Sequence, residues 1–178
     1  MKIAIYAGTF DPITNGHIDI LKKAAKVFDK VLLAVAEQTA KNPIFTLDER
    51  YELCKKSVEH IKNIEVVQFS GLVVEYATKM NATIMIRGLR AVSDFEYELS
   101  LALMNKNLCN DLETVFFVPE NKYLYLSSTM IREVVALGGD ASEFIPKCVE
   151  ELLIEKLQKV KNRKIKGEYH VTTKKTKT

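Results

Sequence analysis

Cysteine is scarce in this sequence of 178 residues, and its scarcity excludes two classes of protein. The three cysteines, Cys54, Cys109 and Cys148, are odd in number and widely spaced, with no CxxC pair and no Cys/His cluster. Disulfide-stapled domains and structural zinc sites both need more cysteines at closer spacing. We therefore predict free thiols that pack as small hydrophobic side chains, in a chain long enough to fold around an ordinary apolar core.

Long hydrophobic runs are also absent. No apolar stretch approaches the roughly 20 residues that a membrane-spanning helix requires. At the N-terminus, MKIAIYAGTFDP holds one lysine and a short apolar stretch, too brief for a secretory signal. We therefore expect a cytoplasmic protein that does not contact a membrane.

The basic charge of the sequence is confined to one end of the chain. The formal net charge is +3, but segment 156–178 alone carries nine Lys/Arg and one Glu. Residues 1–155 carry 17 basic and 22 acidic side chains, a net charge of −5. Because an acidic body lacks the electrostatic footprint of a nucleic-acid-binding surface, we expect no nucleic acid partner.

The same charge pattern divides the chain into two parts. We interpret residues 1–160 as a single domain and residues 161–178 as a basic tail, a solvated end that can be disordered. An anionic partner for the tail is the alternative interpretation.

Apolar runs alternate with amphipathic segments along the domain. Short runs rich in Ile and Val, typical of strands buried on both faces, lie at 2–6, 31–36, 64–69, 83–86 and 114–118. Helices are predicted at 17–28, 47–61, 71–80, 93–109, 128–137 and 146–160, with capping boxes at Thr46 and Ser93. This alternation predicts an α/β fold, with five parallel strands covered by helices on both faces.

The predicted sheet also indicates where a ligand would bind. Ligands of open parallel sheets bind beyond the carboxyl ends of the strands. Five segments follow strand ends and should line one rim: 7–17, 37–46, 70–73, 87–94 and 119–129.

The first of these segments, AGTFDPITNGH, has the composition of a phosphate site. Gly8 lets a backbone approach a ligand closely, and Thr9 supplies a hydroxyl. His17 begins a helix, where backbone N–H groups and the helix dipole favour an anion. A histidine that merely caps the helix is the alternative, but the convergence of these groups favours phosphate.

Two other rim segments carry anion-binding groups. Arg87 and Arg90 flank Gly88, and paired guanidiniums suit phosphate oxygens, although surface arginines in weak salt bridges are the alternative. Three hydroxyls at 127–129 begin a helix, where one of them is expected to serve as an ordinary N-cap. Lys41, after the second strand, is a weak signal by itself.

Some familiar motifs are missing from the rim. The sequence contains neither GxxxxGK[ST] nor GxGxxG, which disfavours P-loop and dinucleotide-binding proteins. No histidine is paired with a Ser or Cys nucleophile. The predicted chemistry is therefore phosphate transfer by positioning and charge stabilisation.

Several motifs resemble a known family. Thr14-Asn15-Gly16-His17 matches the T-x-G-H element of the nucleotidyltransferase superfamily, and LSSTMIR resembles its second signature. IRGLRAVSDFEYE and NPIFTLDER resemble bacterial phosphopantetheine adenylyltransferase more specifically. The resemblance implies a Rossmann-like, doubly wound domain with C-terminal helices, usually assembled as a homohexamer.

The resemblance also implies an activity. The family transfers the adenylyl group of ATP to 4′-phosphopantetheine, with Mg²⁺, and releases dephospho-coenzyme A and pyrophosphate. The implied phosphopantetheine contacts are Thr9, Lys41, Val73 and Arg87. The implied ATP contacts are Thr9, Phe10, His17, Gly88, Leu89, Arg90, Glu98, Tyr123, Leu124, Tyr125, Leu126, Ser127, Ser128 and Thr129. His17, Lys41 and Arg90 are expected to be catalytic; the metal ligands are not predicted.

Two alternative functions remain open at this point. One is a nucleotidyltransferase with another acceptor, such as nicotinamide mononucleotide, or one that uses CTP and an alcohol phosphate. The other is a non-catalytic module that binds a nucleotide, or binds nucleic acid through the basic tail. IRGLRAVSDFEYE argues against the first and the acidic body against nucleic acid.

Overall fold

A computed structural model describes residues 1–37, 43–90 and 92–158, with the side chains of 92–94 left out. Lys41 and the tail at 161–178 lie outside these ranges, so the predictions made for them are not addressed by the structure.

Five parallel strands form one sheet in the order β3-β2-β1-β4-β5, as the alternating pattern predicts. The strands are β1 (Ile3–Gly8), β2 (Lys30–Ala36), β3 (Ile64–Phe69), β4 (Ile84–Gly88) and β5 (Glu113–Phe117). Each begins and ends within two residues of its prediction. The doubly wound fold is therefore confirmed.

Helices follow the strands, and three more elements complete the chain. The helices are α1 (Asn15–Ala25), α2 (Leu47–Val58), α3 (Val73–Lys79), α4 (Val92–Leu108) and α5 (Ser128–Ala136), with a 3₁₀ turn at Asn121–Tyr123. A last helix, α6, occupies 147–158, where the described chain ends. The capping box at Thr46 is present, with both reciprocal hydrogen bonds to Glu49. The one predicted at Ser93 does not begin α4, because that helix already starts at Val92.

The two faces of the sheet carry separate apolar layers. Alternate residues of a strand point to opposite faces, so Tyr6 joins one layer and Ile5 the other. Leu33 and Leu32 divide in the same way on β2, and all four side chains are buried. Fully burying a Leu or Ile side chain contributes about 1.5–3 kcal/mol each. These central strands therefore form a stiff base for the loops that follow them.

The cysteines form no disulfides among the described residues, as their number and spacing predict. Cys54, Cys109 and Cys148 are all free, and Cys54 is fully buried. Across 1–37, 43–90 and 92–158, no helix has the length and apolar character of a membrane span.

A cleft opens where β1 and β4 part. The chain passes from β1 outward to β2 and β3, then returns to the other side of β1 as β4, so this is the topological switch point. The β1–β4 ladder includes only Ala4↔Ile84 and Ile5↔Met85, whereas β1 pairs with β2 as far as Gly8. The carboxyl ends of β1 and β4 are therefore not paired by ladder hydrogen bonds.

Candidate active site

The cleft has a volume of about 300 Å³ and is walled by the loop after β1, the end of β4 and the starts of α1 and α5. Twelve of the predicted site residues line it: Thr9, Phe10, His17, Arg87, Gly88, Arg90, Glu98, Tyr123, Leu126, Ser127, Ser128 and Thr129. Side chains that are up to 120 positions apart in the sequence thus meet at one rim.

The loop after β1 approaches the cleft closely because of its glycine. A Cβ on Gly8 would lie 3.1 Å from the ring of Phe10, which has a left-handed φ of 50°. The Phe10 ring in turn contacts the His17 ring edge to face, with centroids 5.2 Å apart. The glycine therefore allows Phe10 to fold back and pack against the histidine.

His17 is the third residue of α1, and its side chain completes the capping box of that helix. The backbone N–H of Thr14 donates to His17 Nδ1 at 3.0 Å, and the Thr14 hydroxyl lies 2.9 Å from the same nitrogen. Since a backbone N–H can only donate, Nδ1 must be an acceptor. The neutral imidazole therefore carries its proton on Nε2.

His17 is uncharged at neutral pH. Burial, assisted by the positive charge of Arg90, lowers the pKa of His17 from 6.5 to about 4. At pH 7 the ring is neutral. His17 is therefore a neutral N–H donor at the wall of the cleft, not a cation.

Arg87 and Glu98 bind each other across the cleft wall. Arg87 Nε donates to Glu98 Oε2 at 2.5 Å and Nη2 donates to Oε1 at 2.7 Å, a bidentate pair. Burial alone would lower the pKa of Arg87, but the hydrogen bonds and charge of Glu98 raise it above its ordinary value. The pair joins the end of β4 to α4. Arg87, which was predicted to contact phosphopantetheine, and Glu98, which was predicted to contact ATP, therefore hold each other in place.

Arg90 and Gly88 position the segment after β4. Arg90 Nη1 donates to the carbonyl of Leu126 at 2.7 Å, which connects this segment to the loop before α5. A Cβ on Gly88 would lie 2.5 Å from Ile20 Cδ1 of α1, so only glycine fits against that helix without a shift. The segment is therefore packed between α1 and α5.

Each of the three hydroxyls at the start of α5 has a partner. Ser127 Oγ accepts from the N–H of Met130 at 3.1 Å and is the N-cap of α5, as one of the three was expected to be. Ser128 Oγ donates to the Pro12 carbonyl at 2.8 Å. Thr129 Oγ1 accepts from Arg132 Nη2 at 3.3 Å. The Ser128 bond therefore joins the N-terminus of α5 to the loop after β1, while the other two lie within the helix itself.

Three cleft residues escaped the sequence prediction. Tyr6 was interpreted as strand core, and its buried phenol has a pKa raised by burial, so the hydroxyl is neutral at pH 7. Asp11 was not among the predicted site residues, and its carboxylate is buried beside Arg132. The i+4 spacing of Arg132 from Ser128 places both on one face of α5, and this signal could have found the arginine.

Some predicted contacts lie away from the cleft walls. Val73 begins α3 and packs, half-buried, against the second apolar layer. Leu89, Leu124 and Tyr125 are near the rim in sequence but are not among the described residues that line the cleft. Their contacts with substrate, like those of Lys41, stay predictions.

Among its described residues, the cleft has no cluster of protein side chains that could bind a metal by themselves. Across the described ranges, no three His, Cys, Asp or Glu side chains are grouped as metal ligands. Among the described side chains that line the cleft, the carboxylates are Asp11 and Glu98, and each is paired with an arginine. Mg²⁺ prefers oxygen ligands and retains several waters or phosphate oxygens, so this cleft suits a magnesium ion held mainly by a bound triphosphate.

Comparison with known proteins gives two kinds of relative. A cytidylyltransferase-like family model matches residues 5–134. A phosphopantetheine adenylyltransferase of Alkaliphilus metalliredigens is 51% identical over 156 residues, 88% of this chain and 99% of that protein. One from Caldanaerobacter subterraneus is 52% identical over 159 residues, 89% of this chain and 99% of that protein. This chain belongs to the phosphopantetheine adenylyltransferase family.

Solved structures agree with the fold of that family. A crystal structure from Vibrio parahaemolyticus, assigned as a nicotinate-nucleotide adenylyltransferase, superposes with a TM-score of 0.64. It covers 86% of this chain and 99% of that chain at 21% identity. At that identity the likeness supports the Rossmann-like nucleotidyltransferase fold and leaves the choice of acceptor to the closer relatives.

Proposed function

We propose that this protein transfers the adenylyl group of ATP to 4′-phosphopantetheine and forms dephospho-coenzyme A and pyrophosphate. The single observation that carries the proposal is the cleft at the switch point. There, His17, Arg87 and Arg90 meet the hydroxyls that begin α5. Membership of the phosphopantetheine adenylyltransferase family supports this choice of substrates.

The reaction needs no general base. A phosphate monoester has a second pKa of about 6, so the acceptor is already mostly dianionic near pH 7. One of its oxygens attacks the α-phosphorus of ATP in line, the new P–O bond forms, and the bond to the β-phosphate breaks as pyrophosphate leaves. The protein must bring two anions together and stabilise the charge that develops on the α-phosphoryl oxygens.

His17 is suited, as a neutral hydrogen-bond donor, to stabilise the charge that develops on the α-phosphoryl oxygens. Its Nε2–H is available for a phosphoryl oxygen because Nδ1 is occupied by Thr14. The ring lies at the N-terminus of α1, where the helix dipole favours the same anion. A neutral donor in a buried site keeps its proton throughout, so it stabilises the transition state without acting as an acid or a base.

The two arginines suit the anionic substrates. Arg87, held by Glu98, would face the phosphate of phosphopantetheine together with Thr9, Val73 and Lys41. Arg90, bonded to the Leu126 carbonyl, would contact ATP. The remaining ATP contacts would come from Thr9, Phe10, His17 and Glu98, together with residues 88–89 and 123–129. Lys41 would complete the charge stabilisation together with His17 and Arg90.

Mg²⁺ would arrive on the triphosphate. The cleft carboxylates are both paired with arginines, so the residues present fit a metal coordinated chiefly by phosphate oxygens and water. When bound, the ion would neutralise part of the charge on the leaving pyrophosphate.

A cytoplasmic homohexamer is the proposed assembly. Large apolar side chains of α4 are exposed, and such surfaces commonly mark contacts with other chains. These residues are Phe95, Tyr97, Leu99, Leu103, Met104 and Leu108. Sedimentation of the purified chain measures its mass directly, and a monomer at micromolar concentration would contradict the hexamer.

A product assay tests the function. The protein is mixed with Mg²⁺, ATP and 4′-phosphopantetheine, and dephospho-coenzyme A and pyrophosphate are quantified. Parallel reactions use nicotinamide mononucleotide with ATP, and an alcohol phosphate with CTP. Faster turnover with either of these would favour the rival nucleotidyltransferases, and no pyrophosphate from any mixture would favour a non-catalytic nucleotide-binding protein.

A further inference from the structure

Asp11 is a buried carboxylate whose partners come from two other parts of the chain. Its residue is 4% exposed. Oδ2 accepts from the N–H of Ile44 and Oδ1 from the N–H of Phe45, each at 3.0 Å. Arg132 Nη1 of α5 lies 3.2 Å from Oδ2. One carboxylate therefore ties the loop after β1 to the segment before α2 and to α5.

The Arg132 guanidinium is fixed by these contacts at the wall of the cleft. Nη1 also donates to the backbone carbonyl of Asp11, and Nη2 donates to Thr129 Oγ1. The two hydrogen bonds account for two of the five N–H donors of an arginine. The side chain is 23% exposed and lines the cleft, so part of the guanidinium faces the space where an anion would lie.

A second guanidinium lies beneath the same loop. Arg50 of α2 is 1% exposed, and its Nη1 donates to the carbonyls of Thr9 at 2.8 Å and Ala36 at 2.7 Å. Burial lowers the pKa of Arg50, and the negative charge of Asp11 opposes that shift. The net charge of the three side chains Arg50, Asp11 and Arg132 is +1. Removal of the Asp11 charge would leave both arginines uncompensated, which is strongly unfavourable in a buried position.

We propose that Asp11 is a positioning residue of the adenylyl transfer, which acts by holding the Arg132 guanidinium against the anion in the cleft. This inference rests on the proposed function, because its main assay is that reaction. Asp11 lines the cleft, but both of its carboxylate oxygens are already occupied, by two backbone amides and by Arg132. Its effect on the reaction should therefore pass through the arginine. Loss of Asp11 would leave Arg132 in the cleft but allow it to move.

The test is a double-mutant cycle between Asp11 and Arg132. Asp11→Asn keeps the size of the side chain and one acceptor oxygen but removes the charge that holds the arginine. We expect kcat to fall on the order of 100-fold, the effect of roughly 1 Å misplacement, with the KM for 4′-phosphopantetheine unchanged. Arg132→Met should lower kcat on the order of 10²–10³-fold. The double variant should be no slower than Arg132→Met.

Additive losses in the double variant would overturn the proposal, because Asp11 would then act without Arg132. A folded Asp11→Asn protein with the wild-type kcat would also overturn it. Should Asp11→Asn fail to fold, Asp11→Glu keeps the charge and displaces the carboxylate by one methylene, and its cycle with Arg132→Met is expected to be equally non-additive.

A control variant far from the cleft tests whether loss of any carboxylate that accepts a backbone N–H lowers kcat. Asp29 also accepts a backbone N–H, from Lys2 at 2.6 Å, but at the amino ends of the strands. Asp29→Asn should keep the wild-type kcat, and a loss equal to that of Asp11→Asn would contradict the assignment. An inactive wild-type protein would refute the proposed function itself. A circular dichroism melt of every variant establishes that it is folded at the assay temperature.

Discussion

His17 makes the stability of this protein sensitive to acid over a defined pH range. Its pKa is about 4 in the folded chain, because of burial and Arg90, and 6.5 is the ordinary value. Between these values the unfolded chain binds more protons than the folded one, so stability rises with pH. The contribution is complete above pH 6.5 and is lost as the pH falls toward 4. Relative to neutral pH, the loss of stability amounts to about 2 kcal/mol at pH 5 and about 3 kcal/mol at pH 4.

The measurement is urea unfolding of the wild type and of His17→Gln at pH 7 and pH 5. Other groups titrate equally in both proteins, so the comparison isolates the histidine. We expect the wild type to lose about 2 kcal/mol more than the variant between the two pH values. Equal losses would refute the argument, since they would mean that His17 is protonated as easily in the folded chain as in the unfolded one.

Three further predictions follow from the geometry of the cleft and the charge of the tail. His17→Ala should lower kcat on the order of 10²–10³-fold with a smaller effect on ATP affinity by calorimetry, and an unchanged kcat would remove His17 from the mechanism. Gly88→Ala should destabilise the protein by about 1–3 kcal/mol in urea unfolding. Ile20→Val removes the Cδ1 atom that the new methyl would meet at 2.5 Å, so it should recover part of that loss, and no recovery would contradict the clash. Truncation after residue 158 should leave kcat/KM unchanged, whereas lost turnover would give the basic tail a role in the reaction.

The fold could be predicted from the sequence because local pattern determines it. Ile- and Val-rich runs of strand length alternate with amphipathic segments, and only a parallel sheet with helices on both faces buries them all. The rim followed from the same pattern, which is why residues as distant as His17 and Ser128 were expected together and line one cleft.

The parts that were missed depend on distance and burial. The contact between Asp11 and Arg132 spans 121 positions, and nothing local marks those two side chains as partners. The neutral state of His17 depends on desolvation and on Arg90, and neither is visible in the T-x-G-H motif. Ser93 has a capping-box spacing, yet α4 starts one residue earlier, as is common for helix ends.

The four-residue turn from Thr14 to His17 both begins helix α1 and positions the imidazole at the cleft. The imidazole that would face the phosphate is also the group that accepts the first amide of the turn. Replacement of the histidine by alanine also removes its hydrogen bond from the capping box, whereas glutamine at this position can still form one. The tautomer of His17 is therefore set by this turn alone. The same four residues, placed at the start of another buried helix, should also hold the imidazole with its proton on Nε2, directed away from the backbone.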